Sequence, residues 1–180
     1  MVNHQGITMK YVALLWAICL TLTVGAENLT AIPGIALKNG DFADFKPGSA
    51  APAGWFNNSK NVEITPNSDG GIAVKIIAEH PYWGSLEQTL KNIPANQKLR
   101  VCGWLAGSKS NIGLIQVKLL KDGKEISRLD SKRNTKEGSV VCIDLDTKDA
   151  DSMSIHCRQV LQNNVGETVI FKDLQIGEIP

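Results

Sequence analysis

The residues whose types could do chemistry in this chain are spread along short alternating runs. Trp104 stands with Arg100 in the run Leu99 to Ala106, Gln116 and Lys118 in Leu114 to Leu120, His156 and Arg158 in Ser152 to Leu161, and Lys75 in Gly71 to Ala78. Tyr82 and Trp83 sit just ahead of Leu86 to Leu90. Apolar residues fill the other phase: Ile72, Val74 and Ile76, then Leu99, Val101 and Leu105, then Ile115, Val117 and Leu119, then Met153, Ile155 and Cys157. In a strand, successive side chains point to opposite faces, so the polar set projects away from a core. Such a set binds rather than reacts. An indole gives a flat apolar platform with little rotamer entropy to lose, and Arg, Gln and His bring hydrogen-bonding groups. No Gly-x-Ser-x-Gly elbow, phosphate-cradling glycine loop or His-Glu-x-x-His is present. The acids Glu87, Asp144, Asp146 and Asp173 stand where a solvated strand face would put them. An enzyme is not expected.

One phase stays open. Gly103 interrupts the run around Trp104, so Cys102 and Trp104 face either outward or toward the core. In the inward case Cys102 shares a side with Cys157, and a Cys102–Cys157 bridge excludes an exposed Trp104. The alternative for Cys102 and Cys157 is free thiols.

The elements that must position these residues are short and bounded by turn residues, as strands are. Besides the runs already named, Glu125 to Leu129, Ser139 to Asp146 and Thr168 to Ile176 qualify. Asp122-Gly123 is a two-residue hairpin turn. Outside the leader, no segment carries apolar residues at helical spacing over ten or more positions. The pattern predicts an all-β, two-sheet antiparallel sandwich of about 8–9 strands. Residues 1–26 read as a secretory signal peptide: Met9-Lys10 opens a positive segment, Tyr11 to Val24 is apolar, and Val24-Gly25-Ala26 supplies the small residues of a cleavage site. The apolar part is shorter than the roughly 20 residues that span a bilayer. Residues 27–180 then form one domain, secreted or periplasmic, with no membrane insertion. Of the 19 Lys and Arg, one (Lys10) lies in the leader, leaving 18 against 18 Asp and Glu. A neutral surface does not recruit nucleic acid, and a monomer is expected. The Cys102, Cys142 and Cys157 set allows at most one internal disulfide. Asn28-Leu29-Thr30 and Asn57-Asn58-Ser59 are glycosylation sequons in a eukaryotic secretory pathway.

Asn39-Gly40-Asp41-Phe42, Gly54-Trp55, Leu86-Glu87-Gln88-Thr89-Leu90 and Phe171-Lys172-Asp173-Leu174 occur in that order. Together they resemble the CenC-type carbohydrate-binding modules, jelly-roll sandwiches of the galactose-binding-domain-like group, over residues 38–177. The resemblance implies first and last strands closing one sheet. It also implies that the four site-bearing runs share a sheet, whose concave face collects Lys75, Arg100, Trp104, Gln116, Lys118, His156 and Arg158, with Tyr82 and Trp83 at its rim. A glycan is the implied partner, held as by a lectin. The basic character of that surface favours an acidic polysaccharide. A structural calcium is implied between Asp41 and Asp173, although Ala43 stands where the family motif carries an acid. The alternative is a protein-interaction or envelope-structural sandwich without a sugar site. Phe42, Trp55 and Gln88 are expected to be structural rather than ligand-binding.

Overall fold

The computed structural model describes residues 29–179. The expected leader and the sequon at Asn28 lie outside the described residues. Ten strands lie among the described residues: β1 (Phe56–Asn57), β2 (Val62–Pro66), β3 (Ile72–Ile76), β4 (Trp83–Lys91), β5 (Lys98–Gly107), β6 (Gly113–Lys121), β7 (Lys124–Asp130), β8 (Ser139–Asp146), β9 (Ser152–Val160) and β10 (Thr168–Glu178). They form two antiparallel sheets, β1-β4-β9-β6-β7 and β2-β3-β10-β5-β8. The chain is an all-β sandwich, with no helix among the described residues.

The alternation read from the sequence fills the space between the sheets. Leu86, Ile115, Val117, Met153 and Ile155 come from one sheet. Ile72, Val74, Leu99, Val101, Leu105, Val169 and Phe171 come from the other, and none of these is more than 1% exposed. Each such burial contributes about 1.5–3 kcal/mol. Asp122 and Gly123, with φ of 50° and 73°, make the β6–β7 turn. Two left-handed residues are what a type I′ hairpin requires.

From β3 onward the chain crosses to the opposite sheet at every connection except that hairpin. This crossing corrects the expectation that the four site-bearing strands share a sheet. β3 and β5 lie in one sheet, β6 and β9 in the other. The proposed surface is therefore divided. Lys75, Arg100 and Trp104 occupy the outer face of one sheet; Gln116, Lys118, His156 and Arg158 occupy that of the other.

The first strand, β1, is likewise not in the sheet of β10. The Asn39–Phe42 motif is a turn, with Asn39 and Phe42 at φ of 52° and 60°. It leans on β10 through a 2.9 Å bond from Leu174 N to Gly40 O. Trp55 Nε1 donates to Lys38 O and Asn39 O, both at 3.1 Å, and its ring lies 5.0 Å from that of Phe42. Gln88 brackets Lys38, accepting from its N–H at 2.7 Å and donating to its carbonyl at 2.8 Å. Phe42, Trp55 and Gln88 are buried. They hold the opening segment against the sandwich, as expected.

Gly103 settles the open phase. It points into the core, where a Cβ would stand 2.9 Å from Ile115 Cδ1 and 3.0 Å from Leu174 Cδ1. Arg100, Cys102 and Trp104 therefore face outward. Cys102 bonds Cys142, directly opposite on β8, while Cys157 is a free thiol sealed in the core. The Cys102–Cys157 bridge is thus corrected. The supposed conflict between a bridge and an outward Trp104 also disappears, because Cys142 shares the outer face with both.

Candidate binding face

On the outer face of the β1-β4-β9-β6-β7 sheet, register places five side chains in one row across all five strands. Phe56 opposes Glu87, Glu87 opposes His156, His156 opposes Gln116, and Gln116 opposes Asp130. Phe56 begins the row 62% exposed. The next row toward the Trp83 end pairs Ser85 with Arg158. The row on the other side carries Thr89, Ser154, Lys118 and Arg128. This face joins Trp83, Gln116, Lys118, His156 and Arg158 from the expected site and leaves Tyr82 in the loop at its rim, strongly exposed.

Trp83 shares the phase of Ser85 and Glu87 at the start of β4. The guanidinium carbons of Arg133 and Arg158 lie 5.2 and 5.3 Å from its ring centroid, within cation–π range. Arg158 Nη1 donates to Gln116 Oε1 at 2.9 Å, and Gln116 Nε2 donates to Asp130 Oδ1 at 2.6 Å. Glu125 takes a two-pronged contact from Arg128, at 2.8 Å on each oxygen, and has Lys118 Nζ at 3.8 Å. Arg128 holds the Glu125 carboxyl below its usual range.

His156 faces outward yet is only 5% exposed, because its neighbours cover it. Its Nδ1 lies 3.1 Å from Glu87 Oε2 and 3.2 Å from Ser85 Oγ. Asn58 Nδ2 in turn donates to Ser85 Oγ at 2.6 Å. Burial, followed by the charges of Lys118, Arg158 and Arg128, pushes the imidazole down to about 4. The ring is thus neutral at pH 7, and the Glu87 contact is a hydrogen bond rather than an ion pair. Ser85, His156 and Glu87 do not form a nucleophilic triad. A triad places hydroxyl and carboxylate on opposite ring nitrogens, whereas here both meet Nδ1.

Among the described residues, three buried polar atoms find no hydrogen-bond partner: His156 Nε2 and Arg158 Nε on this face, and Gln159 Oε1 in the inward phase of β9. Sequence reasoning missed Phe56, Asn58, Ser85 and Glu87 on this face. The Leu86–Leu90 alternation already carried a signal for Glu87. The two-residue β1 carries none.

On the other outer face Arg100 and Trp104 are engaged by neighbours, while Lys75 stands exposed. Arg100 grips Asp144 at 2.6 and 2.9 Å. Lys172 Nζ stands 4.9 Å from the ring centroid of Trp104. That ring packs so closely on Gly138 that no Cβ fits there.

Asp41 and Asp173 line one hollow with Asp69 and Lys172. Asp41 Oδ1 accepts from Ala43 N at 3.2 Å as part of the turn, and Lys172 Nζ donates to Asp69 O at 3.0 Å. Among the described residues, no group of three or more His, Cys, Asp or Glu is placed to hold a metal ion. Calcium takes six to eight oxygens, and the carboxylates of Asp41, Asp69 and Asp173 are not grouped here to hold one.

No family profile and no curated protein matches this chain. Solved structures do. A CBM4 module superposes with a TM-score of 0.58 at 10% identity, over 80% of this chain and 100% of its own. TmCBM61, solved in complex with β-1,4-galactotriose, gives 0.52 at 20% identity, over 79% and 97%. The enzymatically active domain of bacteriophage CBA120 tailspike protein 4 gives 0.55 at 11% identity over 84% of this chain, which spans only 21% of that one. The likeness is one of fold, shared with these carbohydrate-binding modules and with part of the tailspike domain.

Proposed function

We propose that this chain is a secreted or periplasmic, non-catalytic glycan-binding protein that holds an oligosaccharide across the outer face of the β1-β4-β9-β6-β7 sheet. The observation that carries this reading is the row from exposed Phe56 through Glu87, His156 and Gln116 to Asp130, with Trp83 beside it. Flat rings suit the C–H faces of sugars, and the polar groups between them suit hydroxyls. The fold shared with a CBM4 module and with galactotriose-bound TmCBM61 supports the same reading. The basis for preferring an acidic polymer is divided between two faces. On this one Lys118, Arg128, Arg133 and Arg158 are set among Glu87, Glu125 and Asp130. Calcium has no part in the binding face.

Affinity gel electrophoresis against soluble xylan, β-1,4-galactan, hydroxyethylcellulose and alginate tests the proposal. At least one polymer should retard the protein. Trp83→Ala or Phe56→Ala should weaken that retardation about tenfold, the loss of one aromatic platform, and Trp104→Ala should leave it unchanged. Free migration in every gel, or dependence on Trp104 alone, refutes it.

A further inference from the structure

His156 and Arg158 are two residues apart on β9 and project to the same side of the sheet. Each carries a buried polar atom with no hydrogen-bond partner among the described residues, Nε2 and Nε respectively. Buried polar groups are nearly always partnered, so two orphans on one face call for an explanation. Their chemistry is opposite. The Glu87 carboxylate offers only lone pairs, so the His156 hydrogen sits on Nδ1, 3.1 Å from Glu87 Oε2. In a neutral ring, Nε2 is then a bare acceptor. Arg158 Nε always donates. Two neighbouring donors are committed: Arg158 Nη1 to Gln116, and Gln116 Nε2 to Asp130.

We infer that His156 Nε2 and Arg158 Nε form a hydroxyl-reading pair, which accepts a hydrogen bond from one sugar hydroxyl and donates to a neighbouring one. The inference rests on the glycan-binding reading above and narrows its ligand. The oxygen at His156 must carry a hydrogen, so an unsubstituted hydroxyl is accepted there. A carboxylate, sulfate or ether oxygen is rejected, because it would set lone pair against lone pair. Glu87 and Ser85 are positioning residues in this scheme, since they fix the tautomer. The charges of Lys118, Arg158, Arg128 and Glu125 act on the ring, and a hydroxyl that reaches the covered Nε2 moves neighbouring side chains aside. A site that hydrogen-bonds a hydroxyl rejects the analogue lacking it far more strongly than an apolar pocket rejects a missing methylene.

The probes are xylan and β-1,4-galactan, each unmodified and partly O-methylated, compared in affinity gels with wild type, His156→Phe, His156→Gln and Trp83→Ala. The wild type should bind the methylated form of its polymer about tenfold more weakly than the plain form. His156→Phe, which keeps a ring but no acceptor, should lose about tenfold on the plain polymer. His156→Gln restores an acceptor and should stay within about threefold of wild type. Equal affinity for plain and methylated polymer overturns the pair, and this arm needs no variant to fold. So does His156→Phe binding within twofold of wild type while Trp83→Ala fails, a result that leaves glycan binding standing. No retardation of the wild type by any polymer overturns both.

Discussion

Removing the disulfide tests the strand phase on which the site assignment depends. Cys102 and Cys142 face each other across β5 and β8, 40 residues apart in sequence. The two strands are already paired, so the bond adds little to the native sheet and acts by constraining the unfolded chain. For a loop of that length the chain-entropy relation gives about 4 kcal/mol, and measured values run from about 2 to 4. The double variant Cys102→Ala/Cys142→Ala should therefore lose about 3 kcal/mol, and its Tm should fall by about 6–12 °C. Differential scanning calorimetry measures the loss. Peptide mapping of the wild type with and without reduction should yield one linked pair, Cys102 with Cys142, and leave Cys157 alkylated only after denaturation. A Cys102–Cys157 peptide would turn Trp104 into the core and refute the phase. An unchanged Tm in the double variant would refute the entropic account alone.

Gly103→Ala places a methyl against Ile115 and Leu174. Overpacking of about 1–3 kcal/mol outweighs the usual gain from replacing glycine, so urea unfolding should show a net loss of about 1–2 kcal/mol, and a gain would contradict the inward phase. His156 is held near 4 when folded against its ordinary 6.5. The unfolded chain then binds the extra proton between those values, and stability falls as the pH drops from about 6.5 to about 4. The loss should be on the order of 2 kcal/mol once solvent screening is allowed for. His156→Gln should flatten that slope of urea midpoint against pH; an unchanged slope would assign the effect to another group. Added calcium against EDTA should move the Tm by less than about 1 °C, and a rise of several degrees would establish a site at Asp41 and Asp173.

The fold was legible because its main signal is local. Alternation of period two identified every strand of five residues or more except β2 (Val62–Pro66), and Asp122-Gly123 gave the hairpin. β1 is too short for any pattern, and β2 carries only Val62 and Ile64 as buried alternating residues. Inward and outward sets were also legible, down to Met153, Ile155 and Cys157 against His156 and Arg158. Sheet membership was not. A crossover between layers leaves each strand's own alternation unchanged, so nothing local distinguishes a Trp104 facing one way out of the sandwich from an Arg158 facing the other. The same limit explains the cysteines. Which two are partnered depends on β5 and β8 being neighbours, a long-range fact that spacing does not carry.

The two outer faces differ in what they leave unfinished. On the β2-β3-β10-β5-β8 side the Arg100–Asp144 pair, and Trp104 with Lys172 and Gly138, engage two of the three groups expected to meet a ligand, Lys75 standing exposed. On the β1-β4-β9-β6-β7 side Ser85, itself held by Asn58, and Glu87 converge on one edge of an imidazole and leave its other nitrogen without a bond. Leaving a buried polar atom unpaired costs about 1–3 kcal/mol. A ligand hydroxyl removes that cost on binding. Under the proposed reading, the second face, not the one bearing Trp104, is where a sugar hydroxyl would meet an unmatched acceptor in the free protein.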